Sequence, residues 1–186
     1  MVLYLACIYG NILTQFRNFN YKFQVWNLLS DNSLIADLRY YGVSPWEIEV
    51  VYGLLNSKFK VNQEEIDEPD PNFVSVLTIS IPIQFSEEFF SWFELRAWEK
   101  TKAILKELKR RRGRGKAIKI EILFQGEPNI RFVVDQNESY LFNSAIEKID
   151  FVVELLPYHL DKKNISDNLI EVVYKFDPNK SRWGIM

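Results

Sequence analysis

Histidine and cysteine are almost absent from this chain of 186 residues, which contains His159 and Cys7 and no other residue of either type. A disulfide framework needs paired cysteines, and a structural zinc site needs about four nitrogen or sulfur ligands. A Cys–His nucleophile would have to join two residues from opposite parts of the chain. The sequence therefore predicts no catalytic residues, no metal site and no cofactor, and we interpret the protein as non-enzymatic.

Long apolar runs and phosphate-binding glycine loops are missing as well. Residues 1–9 are apolar but too few to cross a bilayer, and they lack the basic start and cleavage site of a signal peptide. Residues 113–116 read Gly-Arg-Gly-Lys, but they follow a predicted helix and precede a strand, the reverse of a P-loop. We expect a cytoplasmic protein with no membrane association and identify no small-molecule substrate.

The material for a hydrophobic core is present in ordinary amounts. Hydrophobic residues make up 47% of the chain, charged residues 26%, and the formal net charge is −2. A compact chain of this size buries about 70% of the surface that its unfolded form exposes. The composition therefore predicts a stable globular fold without crosslinks and does not indicate a function.

The first third of the chain has helical spacing. Apolar residues recur at intervals of three and four over residues 12–29, and a shorter pattern covers residues 34–41 before Gly42. Ser-Pro-Trp-Glu at residues 44–47 is typical of a capped helix start. We predict that residues 1–61 form a helical region packed on the rest of the protein.

Residues 62–72 are acidic, contain two prolines and are predicted to be a linker. Beyond it, period-two and period-3.6 patterns alternate. The predicted elements are a strand over residues 73–85, a helix over 86–112, strands over 117–125 and 130–134, a helix over 139–159 and a strand over 169–176. Pro82 predicts either a bulge in the first strand or the loss of one neighbouring strand by that residue.

This β-α-β-β-α-β order resembles the ferredoxin-like arrangement. The predicted fold class is therefore α+β: an N-terminal helical region and a ferredoxin-like domain over residues 73–186. Its sheet would be four-stranded and antiparallel, with both helices on one face and the first and third strands in the centre.

The other face of that sheet is predicted to be mixed in polarity. Its apolar members are Val74, Val76, Leu123, Val133 and Val173. Either the N-terminal region or a partner chain would cover part of it. Glu121 and Glu171 also lie on this face, but on opposite edges of the predicted sheet, roughly 14 Å apart, which is too far to share a metal ion.

A concentrated basic run is the strongest charge feature of the sequence. Its core residues are Lys106, Lys109, Arg110, Arg111, Arg112, Arg114 and Lys116. Cations are favoured at a helix C-terminus, so part of the run needs no ligand to explain it. Seven cations in eleven residues exceed what capping needs, and we predict that they bind an anionic partner.

Three aromatic residues, Phe89, Trp92 and Trp98, lie off the apolar stripe of the long helix. They would contact the N-terminal helices or form a protein interface. We interpret the chain as a protein-interaction or adaptor module whose partner is another protein, a second copy included. The alternative is a nucleic-acid-associated protein that binds the phosphate backbone through residues 106–119.

Overall fold

The computed structural model describes residues 34–67, 70–82, 97–159 and 169–186. Leu34–Met186 form one compact unit. The helical pattern predicted over residues 12–29 lies outside the described residues.

Eleven secondary-structure elements follow one another in the described part of the chain. They are β1 (Ile35–Tyr41), α1 (Pro45–Asn56), β2 (Lys60–Glu65), β3 (Ser75–Ile81), α2 (Ala97–Arg112), β4 (Ile118–Phe124), β5 (Asn129–Val134), α3 (Ser139–Glu147), α4 (Ile149–His159), β6 (Glu171–Asp177) and β7 (Arg182–Ile185).

All of these strands belong to one mixed sheet of seven strands in the order β2-β1-β3-β4-β5-β6-β7. The pairs β1/β2, β3/β4 and β5/β6 are parallel, and antiparallel pairs join them and add β7. The prediction of a four-stranded antiparallel sheet is therefore wrong. Strand–helix–strand segments place their two strands side by side here, whereas the ferredoxin-like arrangement inserts another strand between them.

For the described residues, the element order predicted between residues 73 and 176 is confirmed, apart from the division of the last predicted helix into α3 and α4, and so are the faces of the described strands. Leu38, Ile79, Ile122, Phe132 and Tyr174 form one continuous row across five neighbouring strands, and all are buried. Alternation of buried and polar residues fixes which face each strand buries, but every pairing of these strands preserves that alternation. The pattern therefore could not distinguish the two topologies.

Residues 34–41, predicted as a short helix, form strand β1. Ala36 and Leu38 are fully buried, while the next residue of β1, Arg39, is exposed. Leu38 pairs with Ile79 in the centre of the sheet, so a period-two pattern applies. In so short a segment, apolar spacings of three and four were compatible with both structures.

The acidic segment predicted as a linker begins inside the sheet. Asn62–Glu65 belong to β2, whose residues pair in parallel with β1. The four β2 residues that follow Lys60 and Val61 are all exposed and polar or acidic, as suits an edge strand that must not pair with another chain. Low hydrophobicity here indicates an edge position.

Several local predictions are confirmed. Helix α1 begins at Pro45 after Ser44, whose backbone N–H donates to the Glu47 carboxylate at 3.1 Å. Strand β3 covers Ser75–Ile81 and ends directly before Pro82, within the predicted range of residues 73–85, of which residues 83–85 lie outside the described part of the chain. Two features differ from the prediction. The helix predicted over residues 139–159 is interrupted at Lys148, which separates α3 from α4. Strand β7 was not predicted.

Candidate functional site

Lys109, in the centre of the predicted basic surface, is fully buried. Its Nζ donates hydrogen bonds to the carbonyl oxygens of Gly115 at 3.0 Å and Asn137 at 2.8 Å. The same nitrogen lies 5.8 Å from the centre of the Phe142 ring. Burial lowers the pKa of Lys109, and the nearby Glu138 opposes that shift. Lys109 therefore ties the loop after α2 to the loop before α3.

Arg112 is also committed to internal contacts. Its guanidinium forms a two-pronged ion pair with Glu47, at 3.0 and 2.8 Å, and its Nε donates to the Ser75 hydroxyl at 2.9 Å. Only 14% of the Arg112 side chain and 9% of that of Glu47 are exposed. Hydrogen bonding from Arg112 lowers the pKa of Glu47 to about 2. This pair joins the end of α2 to the start of α1.

Lys106, Arg110 and Arg111 lie closer to solvent but have acidic neighbours. Lys106 pairs with Glu147 of α3, while Arg110 and Arg111 both contact Glu107, at 2.6 and 2.9 Å. The Arg110 and Arg111 side chains remain 74% and 56% exposed. Hydrogen bonds from these arginines lower the pKa of Glu107 to about 2. Their positive charge is thus partly neutralised but accessible.

Trp98, predicted as an interface residue, is instead part of the core, with 1% of its surface exposed. Its indole Nε1 donates to Asp150 at 2.6 Å, and the buried Lys102 contacts the same carboxyl group at 2.6 Å. Burial opposes the charge of Lys102, but hydrogen bonds to Asp150 and Glu99 outweigh it and raise its pKa. Phe89 and Trp92 lie outside the described residues.

Arg114 and Lys116 are the two members of the basic run that are exposed and have no ion pair within the described parts of the chain. They follow α2 in a loop whose Gly113 and Gly115 have φ angles of 75° and 82°. The left-handed backbone of these glycines turns the chain sharply after the helix.

The two cations border a groove of about 480 Å³. Its lining also includes Phe73, Val74 and Arg112, and 70% of the Val74 surface is exposed. The backbone N–H of Val74 donates to the Lys116 carbonyl at 3.2 Å, which fixes the two walls side by side. Accessible cations therefore lie next to exposed apolar side chains, an arrangement that suits a ligand with both acidic and apolar groups.

The carboxylates considered for metal binding are not on opposite edges of the sheet, as predicted, but flank one central strand. Strand β5 separates Glu121 from Glu171, so their strands are about 10 Å apart. Arg131 lies between them and contacts both carboxylates, at 2.7 and 2.9 Å. Burial opposes the charge of Glu121, but Lys119 and Arg131 outweigh it and lower its pKa. Among the described residues, no group of three or more His, Cys, Asp or Glu side chains is arranged to hold a metal ion.

An exposed tryptophan was not recognised from the sequence. Trp46 lies in the first turn of α1 and has 83% of its surface exposed, and Val50, one turn later, is 51% exposed. The buried residues of this helix are Ile48, Val51 and Leu55. The unusual signal was tryptophan at the start of a capped helix, off the buried stripe.

Comparison of the chain with protein-family models, with curated proteins and with solved structures found no match. Within the described residues, no helix is both long enough and apolar enough to cross a membrane.

Proposed function

We propose that this chain is a non-enzymatic interaction module that binds an acidic segment of a partner protein in the groove between residues 71–74 and 112–117. The observation that carries this proposal is the position of Arg114 and Lys116, which are exposed and form no ion pair with any described residue, beside the exposed Val74. Charged groups at the rim of an interface attract the partner and orient it, while apolar contacts bury surface from which water is released.

Nucleic-acid binding through the same helix end is the second candidate. It is favoured by the accessibility of Arg110 and Arg111, which would extend the cationic surface beyond Arg114 and Lys116. Against it, Lys109 and Arg112 are withdrawn into internal contacts, and Glu107 shares the charge of its two arginines. Backbone binding to nucleic acid gains its affinity from many simultaneous phosphate contacts. An acidic peptide is therefore the better match.

Fluorescence anisotropy with the full chain tests this proposal. The probes are a labelled peptide of alternating Glu and Leu, the same peptide with Lys in place of Glu, and a mixed-sequence DNA and RNA pool. The acidic peptide should bind, and Arg114→Ser with Lys116→Ser should weaken it by about tenfold at low salt, since two accessible charges are lost.

The matched control is Lys180→Ser with Arg182→Ser, which removes the same charge from exposed positions around the start of β7. It should leave peptide binding unchanged. Equal losses from both double variants would reduce the effect to net charge and refute a specific groove. Tight, strongly salt-dependent binding of the nucleic-acid pool without peptide binding would establish the second candidate instead.

A further inference from the structure

An acidic surface lies at the same end of the sheet as the basic groove. Strands β1 and β2 run toward this end, whereas β3 and β4 start from it, because β1 is parallel to β2 and antiparallel to β3. Glu65 is the last residue of β2, and Asp67 follows it two residues later. Both residues are exposed, and neither forms an ion pair with any described residue.

The other acidic residues described between residues 62 and 70 already have cationic partners. Glu64 pairs with Arg39 at 2.7 Å, and Asp70 contacts Lys119 at 3.4 Å. These pairs offset each other's charge within the chain. The charge of the two exposed acids at the end of β2 is consequently left for an external partner.

An apolar residue separates the two kinds of charge. The strand order β2-β1-β3-β4 places Val74, directly before β3, between the end of β2 and the basic loop that precedes β4. Two strand spacings, about 10 Å, separate β2 from β3, and one further spacing separates β3 from β4. We call Glu65 and Asp67 the acidic half of this surface and Arg114 and Lys116 its basic half, with the exposed Val74 in the centre.

Such a surface is complementary to a copy of itself. In a twofold-symmetric interface, each contact from one copy to the other occurs twice. If the axis lies across the line from acid to base, the acidic half of each copy faces the basic half of the other, and the two Val74 residues meet near the axis. An axis along that line would instead place like charges opposite each other, which costs free energy. Charge therefore selects the first orientation.

A second copy satisfies this surface better than a foreign acidic segment. An acidic peptide in the groove would neutralise Arg114 and Lys116 but leave Glu65 and Asp67 without partners, whereas a second copy pairs all four. The net charge of −2 also gives little overall repulsion between copies. Since both halves lie at one end of the sheet, the interface closes as a dimer and leaves neither half open to a third copy.

We infer that the chain forms a twofold dimer in which Glu65 and Asp67 of each copy lie against Arg114 and Lys116 of the other. The inference rests on the proposed function for the groove as the binding site, and it names a second copy of the chain as the partner that supplies the acidic segment. Ile66, between the two acids, is only half-buried, so it offers part of the apolar surface that suits the groove.

Sedimentation velocity of the full chain at low salt tests this inference. The wild-type chain should dimerise, and added salt should weaken the dimer because its charged pairs lie near solvent. Reversing the basic half, by Arg114→Glu with Lys116→Glu, should weaken dimerisation at least about tenfold, because like charges then face each other on both sides of the axis. Reversing the acidic half, by Glu65→Lys with Asp67→Lys, should have the same effect for the same reason.

An equimolar mixture of the two reversed chains is the most informative sample. One chain is then acidic in both halves and the other is basic in both, so the mixture should form a heterodimer although each chain alone dimerises weakly. The matched control is Lys180→Glu with Arg182→Glu, which makes the same change in net charge at exposed positions around the start of β7 and should dimerise like the wild type. Unchanged thermal unfolding of each variant shows that the fold is intact.

The inference is overturned by a wild-type chain that stays monomeric at low salt, by a dimer that either reversal leaves unchanged, or by a mixture that does not recover dimerisation. The peptide titration separates these results from the proposed function. A monomeric chain that binds the acidic peptide through Arg114 and Lys116 refutes the dimer and keeps the groove proposal. A dimer that the mixture restores, in a chain that does not bind the peptide, refutes a foreign acidic segment and keeps the dimer.

Discussion

Lys109 and Arg112 lie on the same turn of α2, and the protein satisfies their charges in different ways. Arg112 has a carboxylate partner, Glu47, in a two-pronged ion pair. Lys109 has two backbone carbonyl oxygens and an aromatic ring. A buried ammonium group held only by neutral acceptors retains more of its desolvation cost than one opposite an anion. The two residues should therefore respond differently to mutation and to pH.

Lys109→Met tests the role of the buried ammonium group. Methionine fills a similar volume but removes the Lys109 donor from the Asn137 carbonyl oxygen and from that of Gly115, which keeps only the Ala117 N–H at 2.8 Å. We expect the free energy of unfolding at neutral pH to fall by about 1–3 kcal/mol, measured by urea unfolding. Lys106→Met is the control, because that side chain is 32% exposed and its loss should matter less.

The pH dependence of stability should also differ between the wild-type protein and Lys109→Met. Because burial lowers the pKa of Lys109 below 10.5, the unfolded chain holds more protons than the folded chain between the two pKa values. The stability of the wild-type protein should therefore rise with pH in that window, relative to Lys109→Met. A difference between the two proteins that stays constant up to pH 10.5 would contradict a buried, destabilised charge.

Glu47→Gln tests the ion pair. In the folded protein the pKa of Glu47 is about 2 instead of 4.5, so its charge should contribute up to about 3 kcal/mol above the unfolded-state pKa. That contribution is lost as the pH falls from about 4.5 through about 2. Urea unfolding across this range should show a shallower acid dependence for Glu47→Gln. Glu107→Gln is the control and should change stability far less, because water screens its pairs with Arg110 and Arg111.

At the scale of elements, the junctions place the groove as much as the helices and strands do. Gly42 lies between β1 and α1 with a φ angle of 60°, and an added Cβ would lie 2.3 Å from the Val74 carbonyl oxygen. Its own carbonyl accepts a hydrogen bond from Ser75 at 2.6 Å. The turn after β1 is thus pressed against the segment that forms one wall of the groove.

Gly42→Ala should therefore be much more harmful than Gly113→Ala. Both glycines have positive φ angles, but Gly113 has open space where a Cβ would be, so only backbone strain of about 1–2 kcal/mol applies there. At Gly42 the clash with backbone adds to that strain, and we expect a loss of about 3 kcal/mol or more. Thermal unfolding of the two variants compares them directly. Similar losses would show that the close approach to Val74 is not rigid.

At the scale of the whole molecule, β1, α1 and β2 are integral to the single sheet. Strand β1 is the antiparallel neighbour of β3, and α1 supplies Ile48, Val51 and Leu55 to the same hydrophobic core that contains Ile79. Glu47 of α1 also neutralises Arg112 of α2. Removing β1, α1 and β2 would expose both the edge of β3 and the core residues that α1 covers.

A chain beginning at Asn72 should consequently fail to show a cooperative unfolding transition in calorimetry. The expected cause is the loss of the antiparallel partner of β3 together with the apolar cover from α1. A chain beginning at Leu34 is the control, since it removes only residues 1–33. A cooperative transition for the shorter chain near the melting temperature of the full protein would contradict this expectation and show that residues 73–186 fold on their own.

The sequence indicated where the candidate site lies but not which residues belong to it. The density of cations at the end of α2 indicated the region, and Arg114 and Lys116 are accessible there. Sequence alone could not show that Lys109 is buried or that Arg112 is paired with Glu47, because the acceptors lie far away along the chain. Phe73 and Val74 were assigned to a strand, and only the fold brings them beside the basic loop.

The sequence by itself determined local structure: the capped start of α1, the buried faces of β3, β4 and β5, and the element order from β3 to β6. These features depend on spacing, capping and alternation within a few residues. Tertiary structure decided which strands are neighbours, that β1 and β2 join the same sheet, and which cations remain accessible. The physical reason is that alternation specifies the face a strand buries and not the strand beside it, and a charged side chain is buried only where a distant part of the chain supplies its partners.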